Sequence, residues 1–113
     1  MCVLGLLILC SAMIFSQQEI KILSSFRLQG EYELRTREGF NNSVEYKTLN
    51  HEGGVKVRVV DIGKKELHNG KNGKWYYVTL TAPIWVDSGE WIEKYSKFWI
   101  FISESDQLFE FEE

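Results

Sequence analysis

The feature that most limits how this chain can fold is a strict apolar–polar alternation near its middle. Val55, Val57 and Val59 alternate there with Lys56 and Arg58. Because successive side chains of a β-strand point to opposite faces, a period of two predicts a strand with one buried face. Similar short segments recur about every ten residues, and no long amphipathic helical pattern follows residue 24. The sequence therefore predicts an all-β fold, either a small barrel or a sandwich.

Turn-forming residues separate the expected strands. The polar stretch 62–74 contains the pairs Asn69-Gly70 and Asn72-Gly73, which tolerate the positive φ angles of tight hairpin turns. A strand rich in β-formers follows at 75–80 and is expected to end before Pro83, which cannot donate to a sheet ladder. Two apolar segments within residues 84–92 flank a polar turn, so a second hairpin is expected there.

The N-terminus has the composition of a secretion signal. The first 16 residues contain no charged side chain, whereas all 13 basic and 16 acidic residues lie beyond them. Their apolar run has the length of a signal-peptide core, about 7–15 residues, and is short for a transmembrane helix of about 20. Ser16 followed by Gln17 is the preferred cleavage point, although no Lys or Arg opens the segment. An uncleaved N-terminal anchor is the alternative.

The positions of the cysteines and the net charge limit the kinds of covalent link, metal site and partner that are expected. Cys2 and Cys10 both lie in the expected signal, so the mature domain has no disulfide and no thiolate metal site. Lipidation of Cys10 is a weaker option, because bacterial lipoprotein signals have a small residue where this chain has Leu9. Contact with a membrane is expected only through such lipidation or an uncleaved signal. A net charge of −3 argues against a nucleic-acid partner.

The titratable residues do not form a catalytic pattern. His51 and His68 lie in predicted polar turns, and neither has the spacing of a metal-binding or hydrolase motif. The carboxylates nearest to aromatic residues are Asp87, Glu90 and Glu93, and these are expected to be solvated. The sequence therefore predicts a protein that is not an enzyme and holds neither cofactor nor metal.

Three segments resemble the motifs of bacterial SH3 domains. Residues 34–49 read LRTREGFNNSVEYKTL and are similar to the family's opening, L-x-V-R-x-G-P-x followed by a valine-containing strand ending in T-L. Residues 73–78 read GKWYYV and resemble G-x-W-Y-K-V, and residues 99–103 read WIFIS and resemble the closing G-W-V-x-S. Phe40 and Phe98 stand where the family has proline and glycine, and residues 81–97 are longer than the family's turn.

The resemblance implies a small SH3-like barrel of about five to seven strands with an extended hairpin. The expected organisation is a signal peptide or anchor at 1–16, a lead-in strand at 17–31 and the SH3-like barrel at 32–113. By the same resemblance the chain is an exported binding module without catalytic activity, periplasmic or associated with the cell envelope. Its ligand would be a peptide, peptidoglycan or an envelope protein.

Both faces of the strand at 75–80 are apolar, which a half-buried strand does not require. Either the hairpin within residues 81–97 covers the second face, or aromatic rings there line a ligand groove. The resemblance sets Trp75 at the groove rim, opposite the loop that carries Phe40, and Ile100 in the core. The candidate ligand-binding residues are Phe40, Trp75, Tyr77, Trp85, Trp91 and Trp99. The alternatives are an assembly subunit whose aromatic residues are buried by a protein partner, or a small hydrolase.

N-terminal sequencing of the exported protein tests the signal. We expect the mature chain to begin at Gln17, because signal peptidase requires small residues just before the cut. A chain that keeps Met1 after export would instead establish the uncleaved anchor.

Overall fold

The computed structural model describes residues 14–15, 20–50 and 53–109. Within them the chain forms ten β-strands and no helix, which confirms the all-β prediction. The strands are β1 (Ile14–Phe15), β2 (Ser25–Leu28), β3 (Glu33–Arg35), β4 (Val44–Lys47), β5 (Val55–His68), β6 (Lys71–Leu80), β7 (Ile84–Trp85), β8 (Trp91–Ile92), β9 (Lys97–Ser103) and β10 (Leu108–Phe109). This described part holds no helix that is long and apolar enough to cross a bilayer. Most of the expected signal segment lies outside the described residues.

In the described residues, eight strands form one antiparallel sheet in the order β1-β10-β2-β5-β6-β9-β3-β4, while β7 pairs only with β8. Within this part of the chain the end strands β1 and β4 do not pair, so the prediction of a closed barrel of five to seven strands is wrong. The segment after β7 lies along the edge next to β4 instead. Thr48 forms a bridge with Val86, and the backbone N–H of Asp87 donates to the carbonyl oxygen of Lys47 at 3.0 Å. These contacts occupy the edge that barrel closure would need.

The longest element is the hairpin of β5 and β6, and it is longer than the sequence analysis predicted. Apart from the turn at Asn69 and Gly70, residues 62–74 continue both strands rather than forming a polar loop. Asn69 and Gly70 have φ angles of 51° and 77°, as the two central positions of a type I′ turn require. The second Asn-Gly pair lies inside β6, where Gly73 packs against the ring of Phe101. Although Asn-Gly is typical of tight turns, the glycine of this pair makes room for the Phe101 ring inside a strand.

The core lies on one face of this sheet and follows the predicted alternation. Val55, Val57 and Val59 are buried on β5, and their neighbours on β6 and β9 join them in one cluster. Ile100 is fully buried there, as expected. Tyr76 is buried in the same cluster, and in the described part of the chain its hydroxyl has no hydrogen-bond partner. Loss of hydration raises the pKa of Tyr76 to about 12, so the phenol is neutral in the core.

The second hairpin forms where it was predicted, from β7 and β8. Ile84 pairs with Ile92 and both are buried in the core cluster, while Trp85 pairs with Trp91 on the outward side. The expectation that this hairpin covers the second face of β6 is therefore wrong. Its apolar side chains complete the same core that β6 already faces.

We expect Gly73→Ala to destabilise the fold by about 1–3 kcal/mol, as overpacking of a filled site does. A Cβ at this position would overlap the Phe101 ring and the carbonyl oxygen of Ile102. Urea denaturation measures the change, and Asn72→Ala, at the exposed neighbouring position, is the matched control. Equal stability of the two variants would contradict the packing role of Gly73.

Candidate functional site

The six aromatic residues predicted to bind a ligand do not converge on one surface. Phe40, Trp75, Tyr77 and Trp99 lie on or against the outer face of β6 and β9, opposite the core. Trp85 and Trp91 lie on the β7–β8 hairpin and line a different cleft. The structure therefore offers two candidate regions.

The first region is an outer aromatic cluster formed by Phe40, His68, Trp75 and Phe101. The Phe40 ring packs edge-on against Trp75 and Phe101, with centroid distances of 4.8 and 4.9 Å. Trp75 is fully buried, and its indole N–H donates to Glu66 Oε1 at 2.7 Å. The expectation that Trp75 lies at an open groove rim is therefore wrong, because the loop that carries Phe40 folds over it.

His68 is a member of this cluster rather than an exposed turn residue. It is the last residue of β5, and its ring stacks on Phe40 at 3.6 Å with an interplanar angle of 9°. Its half-buried position corrects the expectation of a solvated loop side chain. His51, the other histidine, lies outside the described residues.

Tyr77 and Trp99 form a second ring pair on the same outer face. Their centroids are 5.0 Å apart, and both rings are half-buried. Trp99 packs over Gly63 on β5, where a Cβ would overlap the Trp99 ring and the Glu38 carboxylate. The pair therefore covers the sheet and leaves only part of each ring to solvent.

The second region is a cleft of about 480 Å³ between the start of β5 and the β7–β8 hairpin, which we name the tryptophan cleft. Trp85 and Trp91 are 55 % and 48 % exposed, and their centroids lie 4.8 Å apart. The other described lining residues are Leu49, Gly53, Gly54, Lys56, Ala82, Pro83 and Ile84. Among these residues Lys56 is the charged one, so the cleft is mostly apolar.

The carboxylates beside this hairpin hold it in position. The Tyr46 hydroxyl donates to Glu90 Oε2 at 3.1 Å, and the hydrogen bond to this carboxylate raises the pKa of Tyr46. Asp87 Oδ1 accepts from the backbone N–H of Lys47 at 3.1 Å. Both bonds tie the hairpin to β4. Among the described residues, no group of three His, Cys, Asp or Glu side chains could hold a metal ion.

Arg35 is not among the residues predicted from the sequence. It lines a further cleft of about 600 Å³, together with Phe40, His68 and Phe101 of the outer aromatic cluster. Arg35 is 5 % exposed although it is charged. Glu33 precedes it by two residues on the same strand, so both side chains share one face. This same-face pair of opposite charges is the signal that could have identified the site. Tyr32 also lines the cleft, where burial and then the Asp106 carboxylate raise its pKa far above the usual range.

Comparison of the chain with protein-family models, with curated proteins and with solved structures finds no match.

Alanine substitutions separate the buried tryptophan from the exposed ones. We expect Trp75→Ala to cost about 3–5 kcal/mol of stability, as truncation of a fully buried aromatic side chain does. Trp85→Ala and Trp91→Ala should each cost about 1 kcal/mol or less, because these side chains are half exposed. Thermal denaturation followed by circular dichroism measures all three. A Trp75→Ala protein as stable as the other two would contradict the buried position of Trp75.

Proposed function

We propose that this chain is an exported, non-catalytic binding module of the cell envelope that recognises its partner through the tryptophan cleft. The observation that carries the proposal is the pair Trp85 and Trp91, which stand exposed and in contact in a mostly apolar cleft. Large apolar rings gathered at a concave surface are characteristic of binding sites, because covering them removes apolar area from water.

The two rings are held in place before any ligand arrives. Trp85 and Trp91 occupy paired positions of the β7–β8 hairpin, and their neighbours Ile84 and Ile92 are buried in the core. A ligand that covers them therefore loses little affinity to ordering side chains. Tryptophan rings in such positions are frequent hot spots of protein interfaces.

The lining favours a peptide segment over the other ligand classes. Beside the two tryptophans it offers Pro83, Ile84 and Leu49, which suit apolar side chains. Sugar hydroxyls would require several hydrogen-bonding side chains, including acceptors, whereas the described lining offers only the donors of Lys56 and of the indole N–H groups of Trp85 and Trp91. We therefore propose an apolar peptide segment of an envelope protein as the ligand, with peptidoglycan as the alternative outcome of the test.

Relationship to bacterial SH3 domains and export are parts of this proposal. In support, the three segments that resemble the family's motifs lie on or around β3–β4, on β6 and on β9, which are neighbours in the sheet. The relationship would be to an opened form of the barrel, because the eight-stranded sheet found in the described residues is not closed. The uncharged first 16 residues support export.

A structural or assembly subunit is the second candidate. Leu49 at 40 % exposure extends the apolar surface of the tryptophan cleft, which is the character of an interface with a permanent protein partner. In that case the protein would copurify from the envelope with a stoichiometric partner, and short peptides would not displace it.

Selection from a random peptide library, followed by affinity measurement, tests the cleft. We expect the selected peptides to lose about 30-fold or more in affinity for the Trp85→Ala/Trp91→Ala double variant, because hot-spot truncations cost about 2 kcal/mol or more. Leu67→Ala is the matched control, since Leu67 is a large exposed apolar residue at the far end of the β5–β6 hairpin.

Binding to protein-free sacculi separates the two ligand classes. Retention that requires Trp85 and Trp91 would make peptidoglycan the ligand and exclude the peptide preference. If neither peptides nor sacculi bind in a way that depends on the two tryptophans, the proposed function is wrong.

A further inference from the structure

We propose that Arg35 anchors a second binding site, for a carboxylate that carries an adjacent apolar group, such as the C-terminal residue of a peptide. The site is the 600 Å³ cleft on the outer face, which we name the arginine cleft. It is separate from the tryptophan cleft, and no described residue lines both clefts. The inference therefore goes beyond the proposed function and does not depend on it.

The guanidinium of Arg35 is fixed in one orientation. Its Nε donates to the carbonyl oxygen of Asn42 at 3.2 Å, and its Nη2 donates to Glu33 Oε1 at 2.9 Å. Its central carbon lies 5.2 Å from the ring centroid of Phe40 and 5.6 Å from that of Trp75. A cation held by two hydrogen bonds and two ring faces is preorganised, so an anion that binds it does not have to order it.

The Nη1 end of this guanidinium is the part that we assign to the ligand. Nη1 donates in neither of the two hydrogen bonds found for Arg35 among the described residues. Arg35 keeps a small exposed surface, and it is one of the residues that line the arginine cleft. A carboxylate that enters the cleft would accept from the N–H groups of Nη1.

The other lining residues define the ligand's remainder. Phe40, His68 and Phe101 present rings, which suit an apolar group next to the carboxylate. Lys47 and Lys71 add positive charge, whereas the carboxylates of the lining disfavour a second negative charge on the ligand. The lining carboxylates are those of Glu31, Glu33 and Asp106. This balance fits a monocarboxylate and argues against phosphates and nucleic acids.

Substitution of Glu33 gives the most direct test of carboxylate binding at Arg35. Its carboxylate shares the guanidinium with the incoming ligand and repels it, although a guanidinium has enough donors for both. Glu33→Gln removes the repulsion and keeps an oxygen that can accept from Nη2. We expect this change to tighten carboxylate binding by about threefold or more, as the loss of a nearby like charge predicts. Arg35→Ala should abolish binding, but Arg35 is buried and its loss also threatens folding, so the gain in Glu33→Gln is the primary readout.

The experiment is a titration of the full chain with N-acetylphenylalanine and, separately, with its amide. ¹H–¹⁵N correlation spectra recorded at each ligand concentration monitor the binding. We expect the acid, up to about 20 mM, to shift the Arg35 Nε–H and the backbone amides around Phe40 in a saturable way, since single anchored contacts give millimolar affinity. The uncharged amide should leave them unchanged. Glu93→Gln is the matched control for Glu33→Gln, because it makes the same change of charge on a residue outside the lining.

A pentapeptide that ends in phenylalanine identifies the source of the carboxylate. Binding about tenfold tighter than that of the small acid assigns the site to a peptide terminus, and equal binding assigns it to a small free acid. The proposal is overturned if the amide binds as well as the acid, or if the Glu33→Gln variant binds the acid no more tightly than the Glu93→Gln variant does. It is also overturned if neither the unsubstituted chain nor the Glu33→Gln variant gives saturable shifts near Arg35. The Trp85→Ala/Trp91→Ala variant should bind normally, so failure here is distinct from failure at the tryptophan cleft.

Discussion

The pairing of β6 with β5 on one side and with β9 on the other is the constraint on which the rest of the structure depends. It fixes Tyr76, Val78 and Leu80 on the core face, and it sends Trp75 and Tyr77 to the opposite face. A central strand that is apolar on both faces needs other side chains to pack against each face and shield it from water. The core packs against one face, and the outer aromatic cluster under Phe40 packs against the other. The position of Arg35 above these rings is a consequence of the packing on that second face.

Features that depend on local sequence could be predicted from it, and features that depend on distant strands could not. Alternation identified the strand that begins at Val55, and the polar turn at 87–90 identified the second hairpin. The pair Asn72-Gly73 has the same local signal as Asn69-Gly70, yet it lies in a strand because Phe101, from β9, needs the space above Gly73. The open sheet escaped prediction for a similar reason, since Val86 pairs with Thr48 only after the chain has passed through β5, β6 and β7.

The candidate sites show the same division. Trp85 and Trp91 were recognised as candidates because their hairpin is readable in the sequence, and in the structure they stand together at the surface. Trp75 was assigned a surface role from its motif, but contacts from the Phe40 loop bury it. Arg35 is harder to predict, because a charge inside a strand is ordinarily solvated. Glu33 in the same strand indicates an ion pair, but not the rings of Trp75 and Phe40 that lie beside the guanidinium.

The bridge between Thr48 and Val86 also affects the tendency of this protein to self-associate through its sheet edges. An open sheet has terminal strands whose backbone groups can recruit a strand from another copy. On the β4 side, Val86 and Asp87 pair with Thr48 and Lys47, at one end of the edge that such a copy would use. The segment next to the exposed tryptophans therefore covers part of an edge that could otherwise pair with another copy, and detachment of the hairpin would expose those backbone groups together with two large rings.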